Sequence, residues 1–131
     1  MVNDRREDPS VSDVLNGSVN RVDKPWGYEL WWARTERYVG KILHVTAGHA
    51  LSLQYHNVKE ETIYVYSGRL LFEIQDGERL VGREMVPGDR IHVTPGRVHR
   101  MTALEDCDLF EVSTPEVEDV VRLEDRYGRT T

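Results

Sequence analysis

The sequence predicts an all-β sandwich or barrel, and three observations carry that expectation. From Gly27 onward, short runs rich in Val, Ile, Tyr, Trp and Leu are punctuated by Gly, Pro, Asp and Asn, the pattern of many short strands. No amphipathic helical stretch longer than about three turns occurs before Glu116, which argues against α/β layers. With 131 residues, 39% apolar and 31% charged, the chain suits one core and leaves no room for a second.

Residues 1–23 are mostly polar, contain Pro9 and Gly17, and show weak periodicity around Val11, Val14 and Leu15, so they read as a mobile arm, partly disordered or swapped, or a short helix. A single domain is expected over 24–129. Strands are expected at Tyr28 to Ala33, Tyr38 to Thr46, Leu51 to His56, Thr62 to Ser67, Leu70 to Gln75, Leu80 to Met85, Arg90 to Val93, Val98 to Ala103 and Leu109 to Ser113. Asp76-Gly77 and Pro87-Gly88-Asp89 read as hairpin connections. Glu116 to Tyr127 fits a short helix or a closing strand. Trp31 and Trp32 are strand neighbours and point to opposite faces, so one indole needs cover from outside the barrel. A homodimer with Tyr28 to Trp32 in its interface is expected, the alternative being the N-terminal arm folded back.

Seventeen Lys and Arg against 23 Asp and Glu give a formal charge of −6, which repels a phosphate backbone and argues against nucleic acid. Cys107 is the single cysteine, flanked by Asp106 and Asp108; no disulfide or thiolate cluster is expected, and the thiol reads as inert in a reducing cytoplasm. No apolar run approaches the 18 or so residues that span a bilayer, so no membrane partner is expected.

Chemistry concentrates in Gly48 to Gly68 and Pro87 to His99. Side chains two apart on a strand face the same way, about 6.5 Å apart along the backbone. Ser52, Gln54 and His56 therefore share one face, and the turn after His56 is expected to bring Glu61 in on a neighbouring strand of the same hairpin. A turn at Pro95-Gly96 swings His99 toward the same point. Gln54, His56, Glu61 and His99 suit one divalent ion, zinc first, with manganese, iron, cobalt or nickel also compatible. Gln54 has the alternative of orienting a ligand rather than binding. With one formal negative charge among the ligands, the ion keeps net positive charge, as Lewis-acid chemistry requires. His44, His49 and His92 read as ordinary polar residues.

The spacing Gly48-x5-Gln54-x-His56-x4-Glu61-x6-Gly68, followed by Gly88-x5-Thr94-x-Gly96-x2-His99, resembles the two cupin motifs. The run Ser52-Leu53-Gln54-Tyr55-His56, with the flanks Lys24 to Glu29, Lys41 and Asp119 to Arg129, is similar to the C-terminal isomerase domain of the type II mannose-6-phosphate isomerase/mannose-1-phosphate guanylyltransferase family, over Lys24 to Arg129. The resemblance implies a double-stranded β-helix holding one metal and isomerising a sugar phosphate. Departures fall around the site: Lys59 stands where the family more often has Arg, Glu61-Thr62-Ile63-Tyr64 replaces the family's Glu-His-Trp, and Ala103 stands where cupins usually carry Asn.

Aldose-ketose isomerisation needs a base that moves a proton between two carbons through an enediol. Lys59, Glu60 and Lys41 are the ionisable neighbours expected to serve it, with Arg97, Arg122 and Tyr64 expected on the substrate; Lys59 is also a candidate phosphate contact. Two other functions fit the residues. His56, Glu61 and His99 alone make the two-histidine, one-carboxylate set of iron oxygenases, and a barrel that lost its chemistry would be a sugar-binding or regulatory module.

Overall fold

The computed structural model describes residues 9–129. Its elements are α1 (Val11–Leu15), β1 (Asn20–Lys24), β2 (Gly27–Arg34), β3 (Val39–Val45), β4 (Leu53–Tyr55), β5 (Glu61–Ser67), β6 (Leu70–Asp76), β7 (Arg79–Met85), β8 (Arg90–Val93), β9 (His99–Ala103), β10 (Cys107–Ser113) and β11 (Val121–Glu124). The strands form a six-stranded sheet, β1-β2-β3-β10-β5-β8, and a five-stranded sheet, β11-β4-β9-β6-β7. Every strand pairing is antiparallel. Among the described residues no helix is long and apolar enough to cross a membrane.

From β3 onward the chain changes sheet at every connection except the β6–β7 hairpin, the winding of a double-stranded β-helix. Two expected hairpins are thereby corrected. Asp76-Gly77 does close one, Asp76 facing Arg79, but Pro87-Gly88-Asp89 carries the chain from one sheet to the other. β4 and β5 likewise lie in different sheets, so Glu61 reaches Gln54 and His56 from across the barrel rather than from a neighbouring strand. The C-terminal segment resolves as strand β11, paired with β4.

Part of the expected N-terminal arm, residues 1–8, lies outside the described residues. Ser10 caps α1 reciprocally with Asp13, yet the helix buries nothing. Asn20–Lys24 departs from the expected arm: it pairs residue for residue with Trp31 to Gly27, so the ordered domain starts before residue 24. A tight close-packing explains Gly68 at the β5–β6 turn, where φ is +84° and an added Cβ would sit 2.1 Å from the Asp106 carbonyl oxygen.

Leu43, Val45, Ile63, Val65 and Leu109 from the larger sheet pack against Leu70, Phe72, Met85, Met101 and Ala103 from the smaller one, forming the core at one end of the barrel. Toward the other end the larger sheet is charged within and apolar without. Glu29, Lys41 and Glu111 are buried, while Trp32, Tyr64, Phe110 and Val112 are exposed. Trp31 and Trp32 diverge as alternation requires: Trp31 Nε1 donates to Glu29 at 2.9 Å, whereas Trp32 is 53% exposed.

Candidate metal centre

β4 ends one residue before His56, and β9 begins at His99, where Gln54 and His99 are register partners. β5 begins at Glu61 in the opposite sheet. These strand ends meet inside the barrel, and His56, Glu61 and His99 are all buried, with donor atoms within 4.8 Å of one another. Among the described residues this is the group of His, Cys, Asp and Glu able to hold a metal.

The tautomers follow from the main chain. A carbonyl only accepts, so His56 Nδ1–H donates to the Asp119 carbonyl at 2.6 Å and His99 Nδ1–H donates to the Arg97 carbonyl at 2.8 Å. When neutral, both rings thus turn a bare Nε2 inward. Each Nε2 stands 3.4 Å from Glu61 Oε1, and neither has a hydrogen-bond partner. Two donors each about 2.1 Å from one ion at a tetrahedral angle stand about 3.4 Å apart. Buried, unpartnered nitrogens aimed at a carboxylate oxygen at that spacing fit a divalent ion, as does the main-chain carbonyl that holds the far nitrogen of each ring. Gln54 lines the same cavity, its Oε1 accepting from Ser52 Oγ at 2.6 Å. A second lone pair remains on that oxygen.

Electrostatics reinforce the carboxylate. Burial would raise the Glu61 pKa, but the facing His56 and His99 rings and the Lys59 ammonium hold it well below the ordinary value. Burial would lower His56, and Glu61 outweighs it to leave the pKa raised. Lys59 Nζ lies 3.0 Å from Glu61 Oε2 and 3.4 Å from Glu111 Oε2; against burial, those two carboxylates raise its pKa above the ordinary lysine value. Glu111 is pushed up by burial and by Glu61, against Lys59 and Lys41. Lys41 Nζ sits 3.4 Å from Glu29 Oε1 and 4.1 Å from the centre of the Trp31 ring.

These groups line a cavity of about 110 Å³, whose walls include Trp26, Trp31, Lys41, Lys59, Glu111 and Arg122. The expected site residues divide accordingly. Lys41, Lys59 and Arg122 face the cavity. Burial and the neighbouring Arg129 lower the Arg122 pKa. Glu60 does not face it: strand alternation turns Glu61 in and Glu60 out, where it pairs with exposed His92. Tyr64 lies on the outer face against Phe110, 6.2 Å between ring centres, and the Arg97 side chain is exposed and outside the cavity lining. Lys59 is corrected in role: an ammonium shared by two buried carboxylates is a poor proton acceptor. Glu29 and Glu111 were missed. Glu111 shares the inward face of β10 with Leu109, but the apolar Phe110 and Val112 suggest the opposite phase.

The remaining expected bystanders behave as such. His44 Nδ1 bonds Asp108 at 2.8 Å and His49 Nδ1 bonds Tyr127 Oη at 2.7 Å. Cys107 is buried, and burial with the nearby acids pushes its pKa to about 11.

A metal-fitted pocket between the sheets of a double-stranded β-helix defines the cupin class, and the chain belongs to that family: the cupin domain pattern matches residues 41–113. Mannose-1-phosphate guanylyltransferase ManC of Salmonella typhimurium is 35% identical over 116 residues, covering 82% of this chain. The chain spans only 23% of the length of that relative. Oxalate decarboxylase from Bacillus subtilis shares the fold at a TM-score of 0.71 and 18% identity, over 86% of this chain and 32% of that one. KdgF from Halomonas does so at 0.62 and 20% identity, over 77% of this chain and 90% of that one.

Proposed function

We propose that this cupin is a metal-dependent isomerase of a sugar phosphate, interconverting mannose 6-phosphate and fructose 6-phosphate, with zinc as its ion. The observation that supports it most is the convergence of His56, Glu61 and His99 at a cavity that also carries Lys24, Lys41, Arg122 and Arg129. Similarity to a mannose-1-phosphate enzyme favours the mannose configuration. Gln54, His56, Glu61 and His99 would hold the ion, which when bound supplies Lewis-acid polarisation of a carbonyl and its adjacent hydroxyl. Lys59 holds the free oxygen of Glu61. Glu111, a buried carboxyl with a raised pKa, is the group suited to take a proton from one carbon and return it to the next. Lys41 stays with Glu29 as a charge within hydrogen-bonding reach of sugar hydroxyls. Arg122 with Arg129 meets the phosphate.

A reducing cytoplasm and a homodimer belong to the same proposal, the latter because the outer face of the larger sheet exposes Trp32 at 53% and Val112 at 53%. A solution mass of one chain at micromolar concentration would remove the dimer. A second reading, an iron oxygenase, is favoured by the Ser52–Gln54 bond, which gives Gln54 an occupation other than metal binding. A coupled assay on mannose 6-phosphate separates these. Turnover that falls with chelator, returns with a divalent ion and vanishes in His56→Ala is expected; oxygen consumption or ligand binding without turnover would overturn the isomerase.

A further inference from the structure

Asp119 lies between β10 and β11, far in sequence from the strands that carry the ligands, yet it touches them twice. Its main-chain carbonyl accepts from His56 Nδ1 at 2.6 Å. Its carboxylate gathers three successive main-chain N–H groups of the β4–β5 connection: Asn57 at 3.0 Å, Val58 at 2.7 Å and Lys59 at 2.9 Å. The neighbours Val117, Val120 and Arg122 line the cavity itself.

We propose that Asp119 is a positioning residue of the metal centre, and this rests on the metal reading above. The two contacts act together. The carboxylate fixes the path of residues 57–59, the segment that leaves His56 and delivers Lys59 and Glu61 to the opposite sheet. Held at the same place, the carbonyl binds the Nδ1 proton, turns the imidazole and leaves Nε2 bare toward Glu61. Without the carboxylate, three N–H groups lose their acceptor, and the connection and the carbonyl are free to separate. The segment that walls the cavity beside β4 thereby also sets the geometry of the neighbouring ligand His56.

Asp119→Ala tests this beside Asp89→Ala, a control with a smaller cap of the same kind: Asp89 Oδ2 accepts from one main-chain N–H, that of Val86, at 2.9 Å in the β7–β8 connection, outside the cavity lining. Zinc affinity is read by calorimetry, and the His56 ring nitrogens by NMR of metal-free protein at a pH where the ring is neutral. Outer-shell partners typically contribute about 10- to 100-fold to metal affinity. Asp119→Ala is expected to lose zinc affinity in that range and to populate the Nε2–H tautomer, whereas Asp89→Ala keeps both readings of the wild type. Should Asp119→Ala fold poorly, Asp119→Asn, which keeps one acceptor oxygen, is expected to fall between the two.

Zinc affinity of Asp119→Ala within about threefold of wild type would overturn the proposal. So would wild-type His56 protonated on Nε2 in metal-free protein. Wild-type protein that binds no zinc but holds His56 as the Nδ1–H tautomer would sink the metal reading and support the positioning by Asp119.

Discussion

Lys59→Met removes the one cation shared by two buried carboxylates. The side chains of Lys59, Glu61 and Glu111 are 7%, 3% and 6% exposed, so water does little to screen what is left. Breaking a buried ion pair from one side costs about 3–5 kcal/mol, because the remaining charge stays desolvated. For a domain of this size, at roughly 4 °C per kcal/mol, that is a fall in Tm of about 12–20 °C. Urea and thermal unfolding in the presence of chelator measure it free of any bound ion. The pH dependence has a definite sign. Glu111 has a folded pKa above its ordinary value, so its protonated form favours the fold; the stability this gives is present below the unfolded pKa and lost as pH rises through the folded one. Lys59→Met should therefore recover stability as the pH is lowered from neutral toward the ordinary carboxylate range. Adding Glu111→Leu should make the double variant more stable than Lys59→Met alone. A loss under about 1 kcal/mol in Lys59→Met, or no recovery in the double variant, would refute the reading of Lys59 as the charge that Glu61 and Glu111 share.

Cys107, with its pKa pushed to about 11 and its side chain buried, should resist iodoacetamide at pH 8 in the native state and react fully in denaturant, as followed by mass spectrometry. Gly68→Ala should cost more than the roughly 1–2 kcal/mol of a left-handed residue, since its Cβ would also meet the Asp106 carbonyl oxygen at 2.1 Å; Gly77→Ala, with φ at +62° and nothing within 4 Å, should cost only that strain. Denaturant midpoints distinguish them. Glu60→Ala, Tyr64→Phe and Arg97→Ala remove polar groups outside the cavity and should each leave metal affinity within about twofold of wild type by calorimetry, the span of a neutral surface change.

The cluster of His56, Glu61 and His99 was legible because its signals are local. Gln54 and His56 share a face by period two, the short Asn57 to Glu60 connection brings Glu61 and the Pro95-Gly96 turn brings His99, so the cluster is found without knowledge of strand pairing. Sheet assignment does need it. Nothing in residues 54–61 says that β4 and β5 belong to opposite sheets, since a turn and a crossover of that length read alike. The inward turn of Glu111 is hidden for a physical reason: an outer face bearing Phe110 and Val112 and an inner one bearing Glu111 invert the usual alternation near the cavity. The register of β5 decides that Glu61, and not Glu60, enters the barrel. Asp119 shows the furthest reach. Its bonds to residues 56–59 join positions from 60 residues apart, at Lys59, to 63, at His56, and no local pattern announces them.

Zinc titration of metal-free wild type and His56→Ala, with elemental analysis of each after desalting, tests the metal centre most directly. One equivalent per chain in the wild type, with a strong loss of affinity in His56→Ala, is the predicted result. No saturable binding by the wild type, or the same stoichiometry and affinity in both proteins, would contradict a metal centre built on His56, Glu61 and His99.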